Sequence, residues 1–216
     1  MVNDSRFYYG IGLLIILVSV AVFALEFEKR KPRAREIVML VCMISFGVIG
    51  RVVFYMTPQV KPCAAIIIIT GIALGKNAGF LTGAMTAFVS NFFMGQGPWT
   101  PWQMVAFGFL GYLFGIAYSK RNMGSYISKK KKTFICFMGM LSTIVIYGVI
   151  MDTATVLMST DSLSTQAFIT AYSAGFIMNV IHGISTFIFL WFMLVPMIKK
   201  IERVNLKYGM YTKRYK

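Results

Sequence analysis

The sequence predicts an all-α integral membrane protein in which a six-helix core follows one extra N-terminal transmembrane helix. Composition, the spacing of apolar runs and the placement of basic residues together lead to this fold class. Of 216 residues, 57% are hydrophobic and only 13% are charged, against about 25% charged in an ordinary soluble domain. Apolar runs occupy 7–25, 37–56, 62–75, 77–94, 103–119, 133–151 and 167–198. A helix needs roughly 17–25 such residues to cross a bilayer. The 62–75 run is short, so it must be tilted, broken or covered by its neighbours, and the last run is long enough to project beyond the bilayer. If the runs alternate in direction, every Lys and Arg among the 22 except Arg6, Arg51 and Lys61 falls on one side. The positive-inside rule then puts the N-terminus outside and the C-terminus in the cytoplasm of a prokaryotic plasma membrane. The net charge of +15 is thereby a topology signal with contact to anionic lipid, and it argues for no nucleic-acid partner.

The first run, FYYGIGLLIILVSVAVFAL, is apolar all round, and the basic stretch KRKPRAR follows it instead of preceding it. That order fits a retained N-out helix, not a secretory leader. Residues 1–33 are therefore read as an accessory helix and basic linker, 34–200 as the six-helix core, and 201–216 as a basic cytoplasmic tail. Cys42, Cys63 and Cys136 are isolated in or near apolar segments, with no CxxC spacing, and read as packing residues. No metal or cofactor is expected.

Glycines in the core recur at helix-contact spacing: Gly71 and Gly75, Gly79 and Gly83, Gly111 and Gly115. Small residues at this spacing let helix backbones approach where lipid supplies no hydrophobic drive between helices. They serve either packing within one bundle or an interface with another membrane subunit.

Polar residues inside the apolar runs are costly and ask for a reason. On the alternating topology Arg51, Asn91, Gln96, Asp152, Asn179 and His182 all fall in the outer half of the bundle or at its mouth, which suggests a polar-edged cavity open to the outside. Plainer readings stand beside this one: Asn179 and His182, three apart on one helix face, can be a simple interhelical pair, and Asp152 can neutralise Arg51.

The stretch GQGPWTPW (95–102) cannot continue a helix, because Pro98 and Pro101 lack the N–H and bias the residues before them. It reads as a short, shaped external loop. Trp99 and Trp102 are either interfacial anchors or, with Gln96 and Gln103 on either side, a preformed lid whose rings stack a ligand and whose amides hydrogen-bond it.

These residues carry a family resemblance. SNFFMGQGPWTPWQM followed by AFGFLGYLFG resembles the substrate-binding S components of energy-coupling factor (ECF) vitamin transporters, in particular a branch with an N-x-x-x-G-Q-G-P-W-T-P-W-Q signature. ISFGVIGRVVFYMTPQVKPCAAIIIITGIALG and FIMNVIHGISTFIFLWFMLVPMIKK are similar to the first two core helices and the last one, so the likeness spans roughly 36–200. It implies a six-helix protein that binds a vitamin-like molecule from outside and docks onto a transmembrane coupling subunit and two cytoplasmic ATPases. The branch points to cobalamin or another corrinoid. The family's small-residue docking motif has Ser45, Gly47 and Gly50 as its nearest equivalents. Substrate binding is expected of Arg51, Asn91, Gln96, Trp99, Trp102, Gln103, Asp152, Asn179 and His182.

The chain has no energy source of its own. TGIALGKNAG is one residue short of a Walker A motif, and Asn77 stands where the magnesium-binding hydroxyl belongs. An enzyme would want a nucleophile–base pair or metal cluster, which one histidine and seven acidic residues do not suggest. A secondary transporter or channel is the main alternative, although no acidic residue lies mid-span and no inverted repeat shows. A scaffolding membrane protein would not need so many polar residues gathered at one face.

Overall fold

The computed structural model describes residues 10, 14, 34–118, 127–159 and 164–208. The expected N-terminal helix and linker, most of the 120–132 loop and the end of the tail lie outside the described residues. The described elements are helices α1 (Ala34–Val53), α2 (Cys63–Leu74), α3 (Lys76–Met94), α4 (Thr100–Tyr118), α5 (Lys129–Ser142), α6 (Gly148–Ser159) and α7 (Thr165–Lys207). A π-helical turn, Thr143–Tyr147, joins α5 to α6 without a break. No strand occurs among the described residues. Ala34–Val53, Lys129–Met158 and Thr165–Lys207 are long and apolar enough to cross a membrane.

The short apolar run, α2, is covered by its neighbours. Its sequence CAAIIIITGIAL is apolar on every face, and a helix of that kind belongs in an interior. Ile67, Ile68 and Ile69 are fully buried, with α1, α3, α4 and α7 packed around them. The lengths of α3 and α4 suit a span, but both carry polar or small residues that face other helices instead of lipid.

The glycines explain how α2, α3 and α4 come so close. A side chain at Gly71 or Gly79 would run into the Gly111 carbonyl, one at Gly83 into the backbone of Phe107, and one at Gly115 into the backbone of Lys76. These residues therefore pack one bundle internally. Gly47 and Gly50, expected to dock a partner subunit, also turn inward: a Cβ at Gly47 would meet Thr86, and one at Gly50 would meet Pro62. Of that trio only Ser45 faces outward, on a stripe with Val38, Val41, Phe46 and Ile49.

At 43 residues and about 1.5 Å per residue, α7 is roughly twice as long as a ~30 Å hydrocarbon layer is thick. It runs on through Lys199, Lys200 and Arg203 to Lys207, so the expected tail boundary at 200/201 falls inside a helix. Ile201 and Asn205 are buried, and Arg35 donates to the Tyr208 carbonyl at 2.8 Å, which ties this extension to the start of α1.

Candidate functional site

The proline-rich stretch forms a shorter turn than its sequence suggests. α3 ends at Met94, only 95–99 are non-helical, and α4 begins at Thr100. Pro101 sits in the first helical turn, where its missing N–H costs nothing because that group has no helical acceptor anyway. Trp102 and Gln103 consequently belong to the first turn of a helix and not to the external loop expected of them. Gly95 has φ +105°, a conformation that favours glycine.

A chain of hydrogen bonds fastens this turn to the bundle. The Gln96 amide donates to the Phe88 carbonyl at 3.0 Å, and its oxygen accepts from Thr100 Oγ1 at 2.9 Å. Thr100 Oγ1 accepts in turn from Asn91 Nδ2 at 2.8 Å and from the Gly97 N–H at 3.3 Å. Asn91 Nδ2 also reaches Gln103 Oε1 at 3.0 Å, and the same oxygen accepts from Arg51 Nη2 at 3.3 Å. Arg51 Nη1 donates to Ser90 Oγ at 2.6 Å. The two glutamines, the asparagine and the threonine thus hold the turn and the arginine in one network. Thr100→Val is expected to lose about 1–2 kcal/mol of stability, the cost of breaking hydrogen bonds at a buried hydroxyl, read as a lower thermal midpoint of the detergent-solubilised protein; an unchanged midpoint would mean the network contributes no stability.

Beside this network lies a cavity of about 130 Å3, lined by Arg51, Asn91, Trp99, Gln103 and His182 together with Gln59, Lys61, Cys63, Met94, Gly95, Phe107 and Tyr147. The contributing helix segments are the end of α1, the start of α2, the end of α3, the start of α4, the π turn and the middle of α7. They meet at the end of the bundle opposite Lys129–Lys132 and Lys199–Lys200. The Trp99 ring folds back over Gly97, whose Cβ would collide with it. The Arg51 guanidinium stands over the Phe107 ring, 5.5 Å from its centroid. His182 is wedged edge-on between rings, 4.8 Å from that of Tyr147 and 6.0 Å from that of Phe107. Neither imidazole nitrogen of His182 has a hydrogen-bond partner, nor does Arg51 Nε, although all three atoms are buried. Lys61 lies in the turn before α2, its N–H held by Ser185 Oγ at 3.0 Å. Burial, and then the Arg51 charge nearby, hold its amine below the usual lysine range.

The residues expected at the site divide into three groups. Arg51, Asn91, Trp99, Gln103 and His182 come together on the cavity wall. Gln96 fastens the turn from outside it, and Trp102 is half-buried on the first turn of α4, off the wall. Asp152 and Asn179 form a separate contact, with Asn179 Nδ2 donating to Asp152 Oδ2 at 2.8 Å. The reading in which Asp152 neutralises Arg51 is therefore corrected: the carboxylate accepts from Asn179, whereas Arg51 is held by neutral oxygens. Sequence reasoning passed over Ser90, Lys61, Phe107 and Tyr147. Phe107 was within reach, since it stands one helical turn from Gln103 and shares its face. Tyr147 was marked by no motif; it lies in the π turn, and such turns recur at functional sites.

Residues 33–199 match the family model described as "ECF-type riboflavin transporter, S component". No curated protein and no solved structure matches the chain. The match spans the helices that build the cavity, and the apolar helices agree with a multi-pass membrane protein. This chain belongs to the ECF-type riboflavin transporter S component family, and as such it is a substrate-specific component of a membrane transporter.

Proposed function

We propose that the chain captures a vitamin-like molecule from the external side in the cavity between Arg51 and His182, and delivers it through a transmembrane coupling subunit driven by two cytoplasmic ATPases. The observation that carries this reading is the cavity itself. Cationic, amide and aromatic side chains from four helices, the π turn and the intervening turns converge on it, with buried polar atoms left unpartnered, at the end of the bundle away from Lys129–Lys132 and Lys199–Lys200. Small-molecule sites place polar groups beside aromatic side chains to fix a ligand's orientation, and this wall has both, with polar groups in the larger share.

The family description makes riboflavin the first ligand to test, and it displaces the corrinoid expectation as the leading reading. A planar ring system suits a wall of Trp99, Phe107, Tyr147 and His182, because flat aromatic surfaces stack and meet edge-to-face. A cavity of about 130 Å3 is also smaller than the roughly 300–1,000 Å3 of typical ligand sites. A flavin would fill it only if Trp99 or the 54–62 turn moved aside, and a corrinoid would need a far larger opening.

Thermal stabilisation of the detergent-solubilised protein against riboflavin, cobalamin, cobinamide, thiamin, biotin, lipoate and pantothenate tests the reading. Saturable stabilisation by one of them, weakened by Trp99→Ala, is the expected result. Silence towards every vitamin, with proton- or ion-dependent uptake by the protein alone in liposomes, would establish a secondary transporter instead. The orientation has its own test. With the native cysteines replaced, Gln59→Cys should react with a membrane-impermeant maleimide in intact cells and Lys130→Cys only after permeabilisation. The opposite pattern would invert the topology.

A further inference from the structure

Away from the cavity, at the other end of the bundle, α5 packs against α7. There the Lys132 ammonium stands over the Trp191 ring, 4.3 Å from its centroid. That ring is itself stacked on Phe187, with centroids 5.9 Å apart and planes only 13° from parallel. An ammonium over an indole face is attracted by the ring quadrupole, which fixes the height of the charge along the bundle. Lys132 closes the first turn of α5, after Lys129, Lys130 and Lys131. On α7, Ile184, Ile188 and Trp191 follow at i, i+4 and i+7, so they share one helix face, and all three are exposed. Lys199, also exposed, returns to the face of Ile188 after three further turns. Its side chain tilts towards the helix N-terminus, back in the direction of Trp191.

We propose that this strip binds one anionic phospholipid, with the phosphate held by Lys132, the Lys199 charge below it, and an acyl chain along Ile188 and Ile184. The order of the side chains carries the proposal. α7 is long and apolar enough to cross a membrane, and along it the strip passes from isoleucines to an indole to a cation. A phospholipid has the same profile: hydrocarbon, then the boundary layer where tryptophan concentrates, then a charged headgroup. Basic loops are attracted to any anionic leaflet, but a lysine fixed on a ring between two helices makes a discrete site. Charge selects the occupant. A zwitterionic lipid brings a cation of its own beside the phosphate, whereas an anionic one brings net negative charge to both lysines. The bound lipid would bridge α5 and α7 at the end of the bundle opposite the cavity, independently of what the cavity carries.

Fluorescence quenching tests the site. The chain has three tryptophans, so Trp99→Phe with Trp102→Phe leaves Trp191 as its one indole. The full chain is reconstituted in phosphatidylcholine bilayers, with a fixed mole fraction replaced by phosphatidylglycerol or phosphatidylcholine brominated on the acyl chains. Quenching of Trp191 then reads which lipid occupies the strip. Brominated phosphatidylglycerol is expected to occupy it about fivefold more readily than brominated phosphatidylcholine, the effect of roughly one lysine near an anionic headgroup. Lys132→Gln should bring that ratio close to one, and Lys132→Arg should keep it. If the double tryptophan variant fails to fold, the unsubstituted chain in detergent carries the test: phosphatidylglycerol should raise its thermal midpoint more than phosphatidylcholine does, and Lys132→Gln should remove the difference.

Equal quenching by the two lipids would make the strip ordinary lipid-facing surface and overturn the site. A preference for phosphatidylglycerol that survives Lys132→Gln would overturn it as well; its loss in Lys76→Gln would then assign the headgroup to the other lysine held over a ring, at Tyr112. Quenching by neither lipid would mean that a protein surface covers Trp191, which also overturns the proposal.

Discussion

Replacing Gly79 with leucine is expected to abolish the folded protein. Gly79 lies where α2, α3 and α4 are in backbone contact, and its Cβ would meet the carbonyl of Gly111 and the Cα of Gly71. No rotamer change relieves that, since every obstructing atom is main chain. Overpacking a core usually costs about 1–3 kcal/mol and sometimes more; here three helices must separate, so a loss of about 3 kcal/mol or more is expected. Close packing is also what holds membrane helices together, so no weaker contact takes over. The measurement is the yield and thermal midpoint of monodisperse protein in detergent. Gly139→Ala is the contrast: its Cβ would meet the far end of the Leu190 side chain, which can move, and a change within about 1 kcal/mol is expected. If Gly79→Leu purified as well as Gly139→Ala, the three-helix contact would not be the structural centre argued above.

Arg51→Met is expected to move stability and binding in opposite directions. In the ligand-free protein Arg51 is a buried cation held by neutral oxygens, and those oxygens keep other partners when it goes. Ser90 Oγ still reaches the Thr86 carbonyl at 2.6 Å, and Gln103 Oε1 still accepts from Asn91. Replacing buried charged groups with apolar side chains of similar volume is often neutral or stabilising by about 1–4 kcal/mol, so the ligand-free midpoint should hold or rise. Binding should weaken by about 1.5–3 kcal/mol, the worth of hydrogen bonds made by a charged group, which is at least about tenfold in affinity. A fall in both quantities would instead make Arg51 a structural residue, with Ser90 and Gln103 as its purpose.

The membrane class and the extents of the principal helices were legible in the sequence, because hydropathy and turn chemistry act locally. The run 37–56 became α1, 77–94 became α3, and Gly95–Gly97–Pro98 ended α3 as their backbone chemistry demands. Nearness was legible in part: Arg51, Asn91 and Gln103 each sit towards one end of their helices, and those ends meet beside His182 in the middle of α7. Roles were less so. Gln96 resembles a ligand group in composition but is occupied by the Phe88 carbonyl and Thr100. Gly47 and Gly50 have the spacing of an outward contact but lie under Thr86 and Pro62. Lys61, in a turn with no motif, became a cavity residue because Ser185 on α7 holds its backbone.

From its sequence alone, then, this protein is a multi-helix membrane protein, with most of its basic residues expected at one end and a set of intramembrane polar residues at the other. Tertiary structure alone decided which of those polar residues share a cavity and which fasten a turn. Hydropathy and charge placement depend on position along the chain, which a sequence records directly. The direction a side chain takes around its helix axis acquires meaning only from the neighbouring helix, and the pairing of Asp152 with Asn179, leaving Arg51 to Ser90 and Gln103, depends on that packing.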